Sequence, residues 1–222
     1  MTEQPSINIL GIILDEPTTT VTDLIIAGLC FYACFRLWQK AGRTKAQGLF
    51  AWYFFLLGLG TTLGGLLSHG FKSAFTESWK IPGWEASILA IFFLTWASVE
   101  YTRPAVRPWI SQSLLASMGI SAVIFSGLML YQMTVIPVVA YTGVGMWAVI
   151  FPLQVMVYSR TRDRVSWYSL LALFSTMLAA MAFLGQISLD KWFNHIDLSH
   201  VFLFLAVLLF YWAAEEAGKA AA

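Results

Sequence analysis

Apolar residues fill seven long runs of this chain, separated by short polar breaks. The runs cover about residues 21–39, 48–69, 84–102, 109–131, 134–158, 166–188 and 198–215. Each is continuous rather than alternating, which excludes the strands of a barrel. About 20 mostly apolar residues cross the roughly 30 Å hydrocarbon layer as a helix. Lipid offers no partner to an unpaired amide, so helix is the form that remains. The pattern predicts an all-α, polytopic integral membrane protein: seven transmembrane helices in one domain, residues 1–222. The polar break Tyr131-Gln132-Met133-Thr134 predicts a tight helical hairpin between the fourth and fifth spans. In residues 1–20 the apolar patch Ile7 to Leu14 is too short to span and is expected to lie along the outer surface. Thr18, Thr20 and Thr22 are candidate caps for the first helix.

Composition supports the same class. Of 222 residues, 59% are hydrophobic, 16% aromatic and 11% charged, against about 25% charged in soluble domains. A net charge of +1 gives no electrostatic case for nucleic acid. Cys30 and Cys34 lie one helical turn apart, a placement that suits buried small hydrophobes and disfavours a disulfide. The first 20 residues carry no Lys or Arg, so no signal peptide is expected. Basic residues sort to one side. Arg36, Lys40, Arg43, Lys45, Arg103, Arg107, Arg160, Arg162 and Arg164 flank one set of span ends; Lys72, Lys80 and Lys191 flank the other. The positive-inside rule then predicts the N-terminus outside and the C-terminus in the cytoplasm. Trp79, Trp84, Trp109, Trp167 and Trp192 at span ends fit interfacial belts.

Small residues mark close helix approach: Gly60-x-x-x-Gly64 and Thr61-x-x-x-Gly65 make the second helix a packing element. Pro137 and Pro152 are expected to bend or open the fifth. Glu100 is expected to pair with a loop Arg, Glu215 and Glu216 to form a solvated tail, and Gln154, Gln186 and Trp147 to line a pocket or bond a neighbouring helix.

Ionisable groups at membrane depth are functional candidates by default. Asp23, His69, Glu85, His195, Asp197 and His200 all fall at the non-cytoplasmic ends of their helices, and they include every histidine of the chain. Three imidazoles with nearby carboxylates suit zinc, which takes three protein ligands and leaves a position for water. His69, His195 and His200 are the candidate ligands, with Asp197 and Glu85 as acid/base or supporting groups. A structural reading stands beside this one. Asn194-His195-Ile196-Asp197 resembles a capping box, and Asp23 and Glu85 each favour a helix N-terminus. His195 and His200, five residues apart, are roughly 140° apart around a helix, so they share an ion only if His195 belongs to the preceding turn.

The arrangement resembles the seven-helix superfamily of alkaline ceramidases and progestin/adiponectin receptors. His69 matches that family's histidine at the end of helix two, Glu85 the acid near the start of helix three, and His200 one of two histidines opening helix seven. His195 is the candidate for the other. Two positions depart from the pattern: the family's serine four residues before the helix-two histidine is Gly65 here, and its helix-seven pair is four apart rather than five. The stretches Glu16-Pro-Thr-Thr-Thr-Val-Thr-Asp23 and Asn194-His-Ile-Asp-Leu-Ser-His200 are similar to a bacterial branch of the superfamily. The resemblance implies a zinc-dependent membrane hydrolase acting on a lipid-like amide or ester at the outer face, with an acyl chain inside the bundle. The alternative is a non-catalytic membrane subunit, or a scaffold that binds a lipid or another hydrophobic ligand in a larger complex. A transporter is disfavoured because the middle of the bundle lacks acids, bases and broken helices.

Overall fold

The structure, a computed structural model, describes residues 4–219. Among these residues, seven helices long and apolar enough to cross a membrane follow one another: α1 (Pro17–Trp38), α2 (Lys45–Gly70), α3 (Glu77–Ala105), α4 (Pro108–Gln132), α5 (Ile136–Thr161), α6 (Arg164–Leu184) and α7 (His195–Lys219). The tight turn between α4 and α5 forms as expected, with Met133 in the left-handed conformation that closes α4. Two boundaries differ from the expected ones. Helix α1 begins at Pro17 rather than near residue 21, because Pro favours the first helical position. Helix α6 stops at Leu184, where the amides of Gly185 and Ile187 turn back to Met181 and Ala182. Ahead of α1, the apolar patch folds as an antiparallel hairpin, β1 (Ile7–Ile9) and β2 (Ile12–Leu14), with Ile7 opposite Leu14.

The helices close into a ring. Each packs on its successor, α7 returns to α1, and α3 also touches α5 behind the outlying α4. Tyr53, Phe54, Leu94 and Phe210 are among the fully buried core side chains, and Cys30 and Cys34 are buried free thiols. On α4, by contrast, Ile120, Val123 and Ile124 point outward.

Helix α2 is approached closely on two sides, as its small residues suggested. A Cβ on Gly60 would stand 3.1 Å from the carbonyl of Gly83 on α3, and one on Gly65 would stand 2.8 Å from Cβ of Asp23 on α1. The last turns of α2, Gly64–Gly70, are π-helical, and so is Val144–Ile150 within α5. The second lies just before Pro152, whose missing N–H frees a carbonyl one turn back.

At the arginine-rich end, Glu100 pairs with Arg103 and Lys45. Glu215 is not part of a solvated tail: it is mostly buried and pairs with Lys40. Gln154 is buried and donates to Ser98 Oγ at 2.6 Å, tying α5 to α3.

Replacing Gly65 with Ala is expected to cost about 1–3 kcal/mol, because α1 and α2 must separate to admit the methyl group. Gly127→Ala, which meets nothing within 4 Å, is the control. Thermal unfolding in detergent should show a lowered midpoint for the first and an unchanged one for the second.

Candidate functional site

At the end of the bundle opposite the arginines, the entries of α1 and α7 and the exit of α2 converge on a layer of buried polar groups. Asn194 opens α7: its Oδ1 accepts from the amides of Ile196 and Asp197, while Asp197 Oδ2 accepts from the Asn194 amide at 2.8 Å. That is the reciprocal cap the sequence suggested. Asp197 is fully buried. Its Oδ1 also accepts from Thr19 Oγ1 of α1 at 2.9 Å, and its Oδ2 from Gln4 at 3.1 Å.

Gln4 is the residue that sequence reasoning missed. Its amide oxygen accepts from the Thr18 and Thr19 amides, and its amide nitrogen donates to Trp192 O and Asp197. The cap of α1 is therefore a side chain 14 residues upstream rather than a threonine of its own first turn. The Thr20 hydroxyl bonds back to Glu16 O instead.

Asp23 lies farther inside α1 than expected, six residues beyond Pro17 and hence roughly 9 Å along the axis. It is 95% buried, being 5% exposed, and its Oδ1 is 3.6 Å from His200 Nε2. That separation is longer than a hydrogen bond. The other nitrogen of His200, Nδ1, lies 2.8 Å from Thr22 Oγ1. The Thr22 hydroxyl has one proton and two acceptors within reach, Thr19 O at 3.0 Å and His200 Nδ1, so this contact accommodates either tautomer of His200.

His69 repeats the scheme. Its Nδ1 is 2.6 Å from Glu16 Oε2, and Lys72 Nζ is 2.6 Å from the other oxygen. Burial alone would raise the Glu16 carboxyl. The hydrogen bonds and charges of His69 and Lys72 outweigh it and hold the group at about 2, below the ordinary 4.5. An ionised Glu16 can only accept, so Nδ1 of His69 carries a proton. His69 is within electrostatic reach of Asp23, Asp197 and His200.

The structure thus brings His69 and His200 to one layer, with Asp23 between the helices that carry them. It sends two of the sequence candidates elsewhere. The ring of His195 packs on Phe183 of α6 at 5.8 Å, on another side of α7 from His200. Glu85 accepts from Ser126 of α4 at 2.8 Å. Among the described residues, no three His, Cys, Asp or Glu side chains stand close enough together to hold a metal ion. Two cavities, of about 370 and 240 Å³, open at the opposite end beside Tyr168, Tyr211, Trp212 and Glu216, away from the histidine layer.

Fold and site define a bundle of seven helices of membrane-crossing length with a histidine–carboxylate layer at one end. The model of a family described as one of unknown function, DUF6962, matches residues 18–219, and the chain belongs to that family. No curated protein and no solved structure gives a significant match.

Two outcomes follow from this network. Glu16 has a depressed folded-state value, so its contribution is present above 4.5 and is lost as pH falls towards 2. The gap in melting temperature between wild type and Glu16→Gln should be constant above about pH 5 and close below it. Asp197→Ala leaves the Thr19 hydroxyl, the Gln4 amide and the Asn194 amide without their acceptor, and should cost about 2–4 kcal/mol in the same assay.

Proposed function

We propose that this chain is an integral membrane protein of a bacterial cytoplasmic membrane, with the histidine layer on the non-cytoplasmic side. The helix lengths and the segregation of Arg and Lys to the other end support that orientation. Within it, the histidine layer is proposed as the zinc site of a hydrolase acting on a lipid-like amide or ester. The resemblance to the ceramidase and receptor superfamily supports the same reading.

The observation that carries the proposal is the hydrogen bonding of the two imidazoles. A metal-binding histidine characteristically donates its second N–H to a carboxylate or another oxygen, which fixes the tautomer and aims the lone pair. His69 does so to Glu16, and we take His200 to do so to Thr22 at 2.8 Å, which would leave Nε2 of both rings for a metal. Two ligand atoms about 2.0–2.1 Å from a tetrahedral ion are about 3.3 Å apart, and Asp23 Oδ1 and His200 Nε2 are 3.6 Å apart. Asp23 and His200 thus stand at ligand spacing, and His69 is proposed as the third donor, although in this structure it is not close enough to them to share an ion. Gly65 stands where the resembled family has serine, and Asp23 fills the space a side chain would occupy there. When bound, zinc lowers the pKa of its water and polarises a carbonyl. The protein's own part is to hold the ligands, to keep Glu16 ionised against His69, and to exclude bulk water around a buried Asp23.

The second reading, a non-catalytic scaffold, is favoured by one specific finding: Asp197, the sequence candidate for acid/base work, is saturated by caps of α1 and α7.

Metal analysis of protein purified without added zinc separates the two. Near-stoichiometric zinc is expected in the wild type, lost in His200→Ala and Asp23→Asn, weakened about 10–100-fold in Glu16→Gln, and retained in His195→Ala. No zinc in a folded wild type leaves the scaffold. Zinc that survives both ligand substitutions rules out this donor set. If zinc is bound, release of fatty acid from a short-chain ceramide tests the hydrolase.

A further inference from the structure

The hairpin ahead of α1 breaks the usual rules for its position. Six of its eight residues, from Ile7 to Leu14, are Ile or Leu, and the other two are Asn8 and Gly11. Strand pairs with one face in water alternate apolar and polar residues. Here Ile9, Ile12 and Ile13 are all more than half exposed, and no side of the ribbon is polar.

The two-residue turn is stranger still. Leu10 and Gly11 both have positive φ, 54° and 88°, the geometry of a tight hairpin turn whose first residue is ordinarily Asn, Asp or Gly. Leucine is strained there, and this one is fully exposed at the tip. Local structure gives no reason for it, since the Asn8 side chain already closes the turn by accepting from the Gly11 amide at 2.9 Å.

We infer that the tip of this hairpin inserts into the lipid bilayer at the level of the headgroup and acyl boundary. The inference rests on the membrane-spanning reading proposed above. Lipid fits better than a protein partner because a docking surface covers one face of a ribbon, whereas lipid surrounds both. Reach agrees as well: three residues of strand rise about 10 Å from the base, and interfacial segments bury themselves roughly 5–10 Å. Deeper entry is barred by the unpaired amides and carbonyls along the two strand edges. The base is fixed to the histidine layer. Asp15 donates its amide to Gly70 O and accepts from the Ser73 amide, and Glu16 holds His69 and Lys72. The hairpin is thus a lipid-facing anchor joined directly to the end of α2 that carries His69.

The test uses the full chain reconstituted at low protein-to-lipid ratio in phosphatidylcholine vesicles. One variant carries Leu10→Cys and another Val123→Cys on the outward face of α4, each labelled with the same environment-sensitive fluorophore. Labelling of the unsubstituted chain gives the background from buried Cys30 and Cys34. Iodide, present on both sides of the bilayer, and lipids spin-labelled near the headgroup serve as quenchers. The expected result is a blue-shifted Leu10 label that resists iodide and is quenched by the spin-labelled lipid. A Leu10 label open to iodide while the Val123 label is protected overturns the hairpin inference alone. A Leu10 label shielded from both quenchers is packed against protein, a second copy included, and also overturns it. If both labels are open to iodide, the membrane-spanning reading falls and the hairpin inference falls with it.

Discussion

A carboxylate two helical turns inside an apolar helix is the constraint around which this end of the bundle is arranged. Asp23 enters because Gly65 has no side chain, and the resulting close approach of α1 and α2 sets where His69 stands relative to α1. A buried charge without a partner is costly enough that neighbouring groups must answer it. On α7, His200 stands with Nε2 3.6 Å from Asp23, while Thr22, one residue before Asp23, lies against the other ring nitrogen. Three helices from distant parts of the chain are thereby joined through one acid.

The short segment before α1 does more than lead into the first helix. Gln4 caps α1 and bonds the carboxylate that caps α7, so one amide side chain settles the entries of both helices. Asp197 there accepts from Thr19 of α1, from Gln4 and from the Asn194 amide. Glu16 then orients His69. The two acids differ in their surroundings: Asp197 is occupied with caps, while the polar contact of Asp23 among the described residues is the long one to His200.

The helices were legible because each is a continuous apolar run, and the Arg and Lys pattern sorted their ends. The histidine layer was legible in part. His69 and His200 were recognisable as polar groups at span ends, and Asn194 with Asp197 as a cap. Three things could not be read from spacing. Asp23 looked like an ordinary helix-start acid because the apolar run begins later than the helix, which Pro17 starts. Gln4 and Glu16 act across 193 and 53 residues of sequence, and no local pattern announces such a contact. His195 was placed with the other histidines by its position at the start of the last span and by the resemblance; its angle around α7 turns it to Phe183. The one available signal was Gly65, where a small residue four positions before His69 marks a space that another side chain must fill.

Anomalous diffraction at the zinc edge, from crystals of the full chain grown with zinc, addresses the centre of this reading most directly. The expected result is a single strong peak at ligand distance, about 2 Å, from both Asp23 Oδ1 and His200 Nε2, with His69 turned towards it. A peak at His195 or elsewhere, or none in well-ordered crystals, would contradict it.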